Sequence, residues 1–246
     1  MKRELLIILF CLLTSCFKFT DTGDHDKAEV NDRILIPKGK VFNEANKDYI
    51  HLDSFYIDKY EVSFMEYSKC VQQKKCPGSV LKNNYVSGTN RIPISIIGFD
   101  DAVDYCKYVG GRLPTFYEWK RAAVGDKDWK YPWGNDCNEE YANFAHEANV
   151  TTIDDYLCFN EECPRKDVSI FGVRNMAGNV GEWLDHIDGK KDSYPFIPGS
   201  LCHNEASCLP DEIYYDFGIR YPPPDSVGFR CAYDVDKMDK AVKANK

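Results

Sequence analysis

Eleven cysteines are the side chains of this sequence with the most chemistry open to them, because thiols can cross-link or hold a metal ion. A structural zinc site is not expected. No close Cys-x-x-Cys pair and no His-Glu-x-x-His segment occurs, and the five histidines are scattered. Lys2 and Arg3 precede an apolar run from Leu5 to Leu13, too short to span a bilayer, which reads as a signal peptide. Export to an oxidising space makes disulfides the default use of the remaining thiols.

The run ends in Leu13, Thr14, Ser15 and Cys16, which resembles the lipobox of bacterial lipoproteins. Cys16 is then the lipidated first residue, and the chain is expected in the bacterial cell envelope, held to the membrane on its periplasmic or surface side. An ordinary secretory signal with a chance cysteine is the plainer alternative. Removing Cys11 by cleavage and Cys16 by lipidation leaves nine of the eleven cysteines, so at least one thiol is unpaired or paired outside the chain. From Lys18 to Arg33 large apolar residues are scarce, and the segment cannot offset its ordering entropy. The organisation read here is a signal peptide (1–15), a lipidated tether (16–33), one folded domain (34–235) and a charged tail (236–246). A net charge of −8 with no long basic stripe argues against nucleic acid as a partner.

Positioning falls to short elements. Strands are expected at Ile34 to Ile36 and His51 to Ile57, separated by turns. A helix is expected over Glu61 to Val71, with Val62 and Met65 on its apolar face and Cys70 and Cys76 just beyond it, near enough to staple a loop. Asp100 or Asp101 can cap a second helix that points Cys106 inward and ends at Gly110 and Gly111. Thr115 with Glu118 forms a capping-box pattern that starts a third helix. Beyond Gly125 regular structure thins to short strands around Val168 to Val173, Asn179 to Leu184 and Gly228 to Ala232, joined by long loops.

Several segments, in order, resemble the formylglycine-generating enzyme (sulfatase-modifying factor) family: FYIDKYEVSFMEY from Phe55, DDAVDYCKYVGGRLPTFYEW from Asp100, YPWGN from Tyr131, YAN from Tyr141, FGVRNMAGNVGEW from Phe171 and VGFRCA from Val227. The resemblance implies an α+β fold related to C-type lectins, loop-rich, low in regular secondary structure and stabilised by disulfides. It implies a disulfide between Cys106 and Cys231. Cys70 with Cys76 is a second expected pair, and Cys137 with Cys158 or Cys163 a third.

The resemblance also implies calcium, which takes six to eight hard oxygen ligands that loops can supply. One set would be the side chains of Asn175 and Glu182 with the carbonyls of Gly178 and Val180; the bland reading is that these side chains only hydrogen-bond neighbouring backbone. A second set would be Asn143, Asp155 and the carbonyls of Phe144 and Leu157. Family enzymes oxidise a cysteine of an unfolded sulfatase to formylglycine with oxygen and two cysteines that bind copper(I), and soft thiolates suit that ion. In GSLCHNEASC, Cys208 stands at the family distance after Ser200. Cys202 stands one residue before its counterpart, whose place His203 takes. The expected function is that oxidation of a protein or peptide substrate, with Cys202, Cys208 and Ser200 in the site. Three alternatives stay open: Cys202 and Cys208 as a structural disulfide, a non-catalytic envelope lipoprotein that uses the fold to bind or scaffold an envelope protein, and a purely structural envelope component.

Overall fold

A computed structural model describes residues 33–43, 46–83, 93–136, 138, 141–142, 167–185, 194–197, 214–216 and 227–238. Its centre is a three-stranded antiparallel sheet in the order β1 (Arg33–Ile36), β4 (Phe55–Asp58), β9 (Ala232–Asp234). Side chains alternate across a strand, so this sheet serves two cores at once. Ile36, Phe55, Ile57 and Ala232 pack on one face with Trp119, Ala122, Val173, Met176 and Leu184. Tyr56, Cys231 and Tyr233 pack on the other with Tyr67, Ala102, Cys106, Trp183 and Phe229.

Between the first two strands of that sheet runs a hairpin, β2 (Gly39–Asn43) with β3 (Asp48–Leu52), which lies against the helix Phe116–Val124. The sequence reading placed turns over the first of these and one strand over residues 51–57. The break at Asp53 and Ser54 divides that stretch between two different sheets. A four-stranded sheet, in the order β7 (Tyr214–Asp216), β6 (Tyr194–Ile197), β5 (Gly181–Trp183), β8 (Val227–Gly228), pairs antiparallel except for β5 with β8, which run parallel. The strands expected over 168–173, 179–184 and 228–232 thus shrink to an isolated bridge between Val168 and Arg174 and to β5, β8 and β9.

Helix α1 (Phe64–Gln72) starts at Ser63, whose hydroxyl accepts from the Glu66 amide while Glu66 accepts from the Ser63 amide, a complete capping box. Its buried residues are Tyr67 and Cys70; Met65 is 40% exposed, so the apolar face lies one position round from the expected one. Cys70 sits within this helix and bridges Cys76, tying it to the short α2 (Ser79–Asn83). Helix α3 (Phe99–Tyr108) is capped by Gly98; Asp100 and Asp101 fall in its first turn, where carboxylates favour the helix dipole without being the cap. Gly110, at φ +82°, closes it in a conformation open to glycine. In α4 (Phe116–Val124), Thr115 and Glu118 form the expected capping box, and Glu118 also receives two bonds from Arg112 at 2.6 and 2.7 Å.

The parallel pair β5 and β8 brings Glu182 opposite Gly228. A Cβ on Gly228 would sit 2.5 Å from the Ile94 carbonyl oxygen and 3.0 Å from Val180 Cγ2. Backbone cannot yield as a flexible side chain can. Gly228→Ala is therefore expected to cost about 1–3 kcal/mol, the usual range for overpacking, read as a lower urea midpoint with unchanged slope.

Candidate functional site

Where the two cores meet, four distant stretches converge on Arg230, which is fully buried. The segment after β4 is pinned to the segment after β8 by the Val62 amide donating to the Phe229 carbonyl at 2.9 Å, which sets Glu61 beside Arg230. The Arg174 amide donates to the Lys59 carbonyl at 2.9 Å, which brings in Asn175. Strand β5 supplies Glu182, and α4 supplies Trp119.

All five guanidinium N–H groups find acceptors. Nε meets Glu182 Oε1 and Oε2 at 2.9 and 2.8 Å, and Nη2 meets Oε1 at 2.7 Å. Nη1 reaches the carbonyls of Asp58 and Lys59 at 3.3 and 3.2 Å, and Nη2 that of Arg174 at 2.9 Å. Trp119 Nε1 donates to Glu182 Oε2 at 2.9 Å. A carboxylate has about four lone-pair positions, and these bonds use them all.

Glu61 is different. It is 1% exposed and receives Nδ2 of Asn175 at 3.0 Å and Nδ2 of Asn179 at 2.7 Å, while the Arg230 guanidinium lies 3.8 Å away. Both asparagines take left-handed backbone, φ +58° and +78°, which asparagine tolerates better than most residues. Burial pushes the Glu61 carboxyl up, Arg230 opposes this, and the nearby charge of Glu182 pushes it further. Burial alone would pull the Arg230 guanidinium down; Glu182 and Glu61 more than reverse it. The cluster thus encloses two carboxylates around one cation.

That excess of negative charge is the observation that bears on calcium. Glu182 has no spare lone pair, but among the described residues Glu61 meets neutral amides at hydrogen-bond distance, and a half-turn of either asparagine amide exchanges its nitrogen for an oxygen acceptor. Carboxylate and amide oxygens together suit a hard divalent cation. The donor set fits calcium with Glu61 added, and least well through Glu182. Gly178 and Val180 are buried in the loop between Asn175 and Glu182. Asn143, Phe144, Asp155 and Leu157 lie outside the described residues, as do Ser200, Cys202, Cys208, Cys16, Cys137, Cys158 and Cys163. Among the described residues no group of three or more His, Cys, Asp or Glu side chains could share a metal ion.

Glu61 escaped the sequence reading because its partners lie 114 and 118 residues away and its own neighbourhood reads as the run into α1. Asp58, three residues earlier, is also tied to the second Cys segment: it accepts from the Cys231 amide and the Tyr233 hydroxyl, both at 2.9 Å. Burial raises its carboxyl pKa and Glu66 adds to this, against the Cys231 amide, Arg33 and Tyr233, while a fifth of the side chain remains exposed. A raised carboxyl means that the folded state binds the proton more tightly than the unfolded one, so this stabilisation is full below the ordinary carboxylate pKa and is lost as pH rises through the folded value. Asp58→Asn is expected to flatten the fall in unfolding free energy between pH 4 and 7.5, measured by urea titration. An unchanged slope would remove Asp58 from that account.

Two of the expected disulfides lie among the described residues. Cys106 on the buried face of α3 joins Cys231 with Cα atoms 5.5 Å apart, and Cys70 joins Cys76 at 5.4 Å. Comparison with known proteins places this architecture. A sequence model of the sulfatase-modifying factor enzyme 1-like domain matches residues 18–235. Among curated proteins, YfmG of Bacillus subtilis is 26% identical over 86% of this chain and 56% of its own length. The formylglycine-generating enzymes of Streptomyces coelicolor (29% identical; 61% of this chain, 55% of that protein) and Bos taurus (26%; 80% and 70%) also match. This chain thus spans little more than half the length of some of these relatives. Among solved structures, CarF (TM-score 0.57, 19% identical, 83% of this chain and 98% of that one) and Treponema denticola variable protein 1 (0.59, 16%, 82% and 94%) share the fold. PvdO from Pseudomonas aeruginosa does so at TM-score 0.58 and 15% identity, covering 82% and 94%. A loop-rich α+β body of the C-type-lectin-like kind, cross-linked between α3 and the stretch before β9, and a family match over nearly the whole chain lead to one assignment: the chain belongs to the sulfatase-modifying factor enzyme 1-like domain family.

Proposed function

We propose that the chain is an oxidase of the formylglycine-generating type, converting a cysteine of an unfolded protein substrate to formylglycine with dioxygen as oxidant: the substrate carbon gives up two electrons, its sulfur leaves as hydrogen sulfide, and a thiol reductant supplies the two further electrons that take dioxygen to water. The observation that carries this reading is the family match from residue 18 to 235, a range that includes GSLCHNEASC. Cys202 and Cys208 would hold copper(I) through two thiolates, the donor type that ion prefers, and Ser200 would assist beside them. Copper, when bound, supplies the means to activate oxygen. The buried Arg230 holds Glu182 of β5, the strand that pairs with both β6 and β8.

Calcium belongs to the same proposal, held by Asn175, Glu61 and the carbonyls of Gly178 and Val180, with Glu182 holding Arg230. Its task there is structural: it offsets buried negative charge and orders the loop. Lipidation at Cys16 would place the enzyme on the bacterial envelope, where newly exported substrates are still unfolded. The test of the thiol assignment is alkylation mapping of folded, unreduced protein, together with a copper(I) titration. Cys202 and Cys208 are expected to be released by mild reductant and to bind one copper(I), with binding lost in Cys208→Ser. A bridge between them that resists mild reductant and prevents copper binding would contradict the proposal.

A further inference from the structure

The loop from Asn175 to Val180 has left-handed backbone at both asparagines and so cannot close its own amides in a helix or ladder. Buried backbone N–H groups need acceptors, and three consecutive ones have the same one. Asp167, 4% exposed, accepts from the Met176 amide at 3.0 Å through Oδ1 and from the Ala177 and Gly178 amides at 2.9 and 3.1 Å through Oδ2. Its own carbonyl accepts from the Asn175 amide at 3.0 Å. One residue therefore fixes four successive N–H groups. In a trans peptide the carbonyl points opposite to the N–H, so the Asn175, Met176 and Ala177 carbonyls are turned away from Asp167.

We propose that Asp167 is a positioning residue that shapes this loop for cation binding, an inference that rests on the calcium assignment of the preceding subsection. A neutral acceptor could satisfy some of the amides. The carboxylate alone offers two oxygens to three donors without presenting a hydrogen of its own to them. Asp167 touches no proposed ligand oxygen; it acts by holding the peptides from 175 to 178 in the one arrangement that sets Asn175 toward Glu61 while Gly178 enters the turn. Asp167→Asn keeps the volume but turns an N–H₂ group against backbone donors. Outer partners of a metal site characteristically carry 10- to 100-fold in affinity when changed.

The experiment is calorimetric titration of calcium chloride into the EGTA-treated full chain and its Asp167→Asn variant, well below the melting temperature of each. The wild type is expected to bind calcium and the variant to bind it at least about tenfold more weakly. A purely structural role would lower the melting temperature and leave the dissociation constant where it was, and equal constants would overturn the inference. No calcium binding by the wild type would overturn the calcium reading instead. Should the variant fail to fold, amide hydrogen exchange on the wild type decides: calcium is expected to slow exchange at Met176, Ala177 and Gly178, and unchanged rates there in calcium-bound protein would overturn the inference.

Discussion

Arg230→Met is expected to destabilise the fold by about 3–5 kcal/mol, the range for removing one partner of a buried ion pair. The size follows from what is left behind. Glu182 is 2% exposed and Glu61 1%, and both lose the guanidinium they share within 4 Å. Four backbone carbonyls lose the bonds the guanidinium gives them as well. Lysine is expected to rescue little, because a single ammonium cannot reproduce a planar fork that serves Glu182 twice and carbonyls on two other sides. Chemical unfolding of the two variants checks this. A methionine variant as stable as the parent would mean that the carboxylates are compensated in some other way, and Arg230 would no longer be the organising residue.

Removing the Cys106–Cys231 bridge, by alanine at both positions, is expected to cost about 5 kcal/mol in the chain-entropy treatment, since the loop it closes has a separation of 125 residues. The Cys70–Cys76 bridge, with a separation of 6, is expected to cost about 2 kcal/mol by the same relation. The order of the two effects is the informative part. Cys231 follows Arg230 directly and its amide is held by Asp58, so the long bridge also anchors the stretch between β8 and β9 that carries the guanidinium. Paired urea titrations of the two double variants test this, and a larger loss from the short bridge would show that the entropic ranking does not govern here.

Some of this was legible in the sequence and some was not, for physical reasons that differ by residue. The Thr115–Glu118 box was readable because capping is local: both partners lie within one turn. Ser63–Glu66 carries the same signal, masked by Val62 just before it, which draws the expected start of the helix back to Glu61. The bridge from Cys106 to Cys231 came from family resemblance, since spacing alone does not choose among so many thiols. Glu61, Arg230 and Asp167 were invisible as a group, because what joins them is the packing of β4, β5 and the stretch after β8 rather than any repeat along the chain. Asn175 and Glu182 were singled out together, yet the fold gives them to different partners, Glu61 and Arg230. A period-2 or period-3.6 pattern cannot foresee that separation, since both residues lie in irregular backbone or in a strand of three residues.

The oxidase assignment is tested most directly by incubating the folded, copper(I)-loaded full chain in air with a thiol reductant and a peptide carrying a Cys-x-Pro-x-Arg motif and following the cysteine by mass spectrometry. The prediction is conversion to an aldehyde that reacts with hydroxylamine, abolished by Cys208→Ser. Intact cysteine after exposure to well-folded, copper-loaded protein would contradict it.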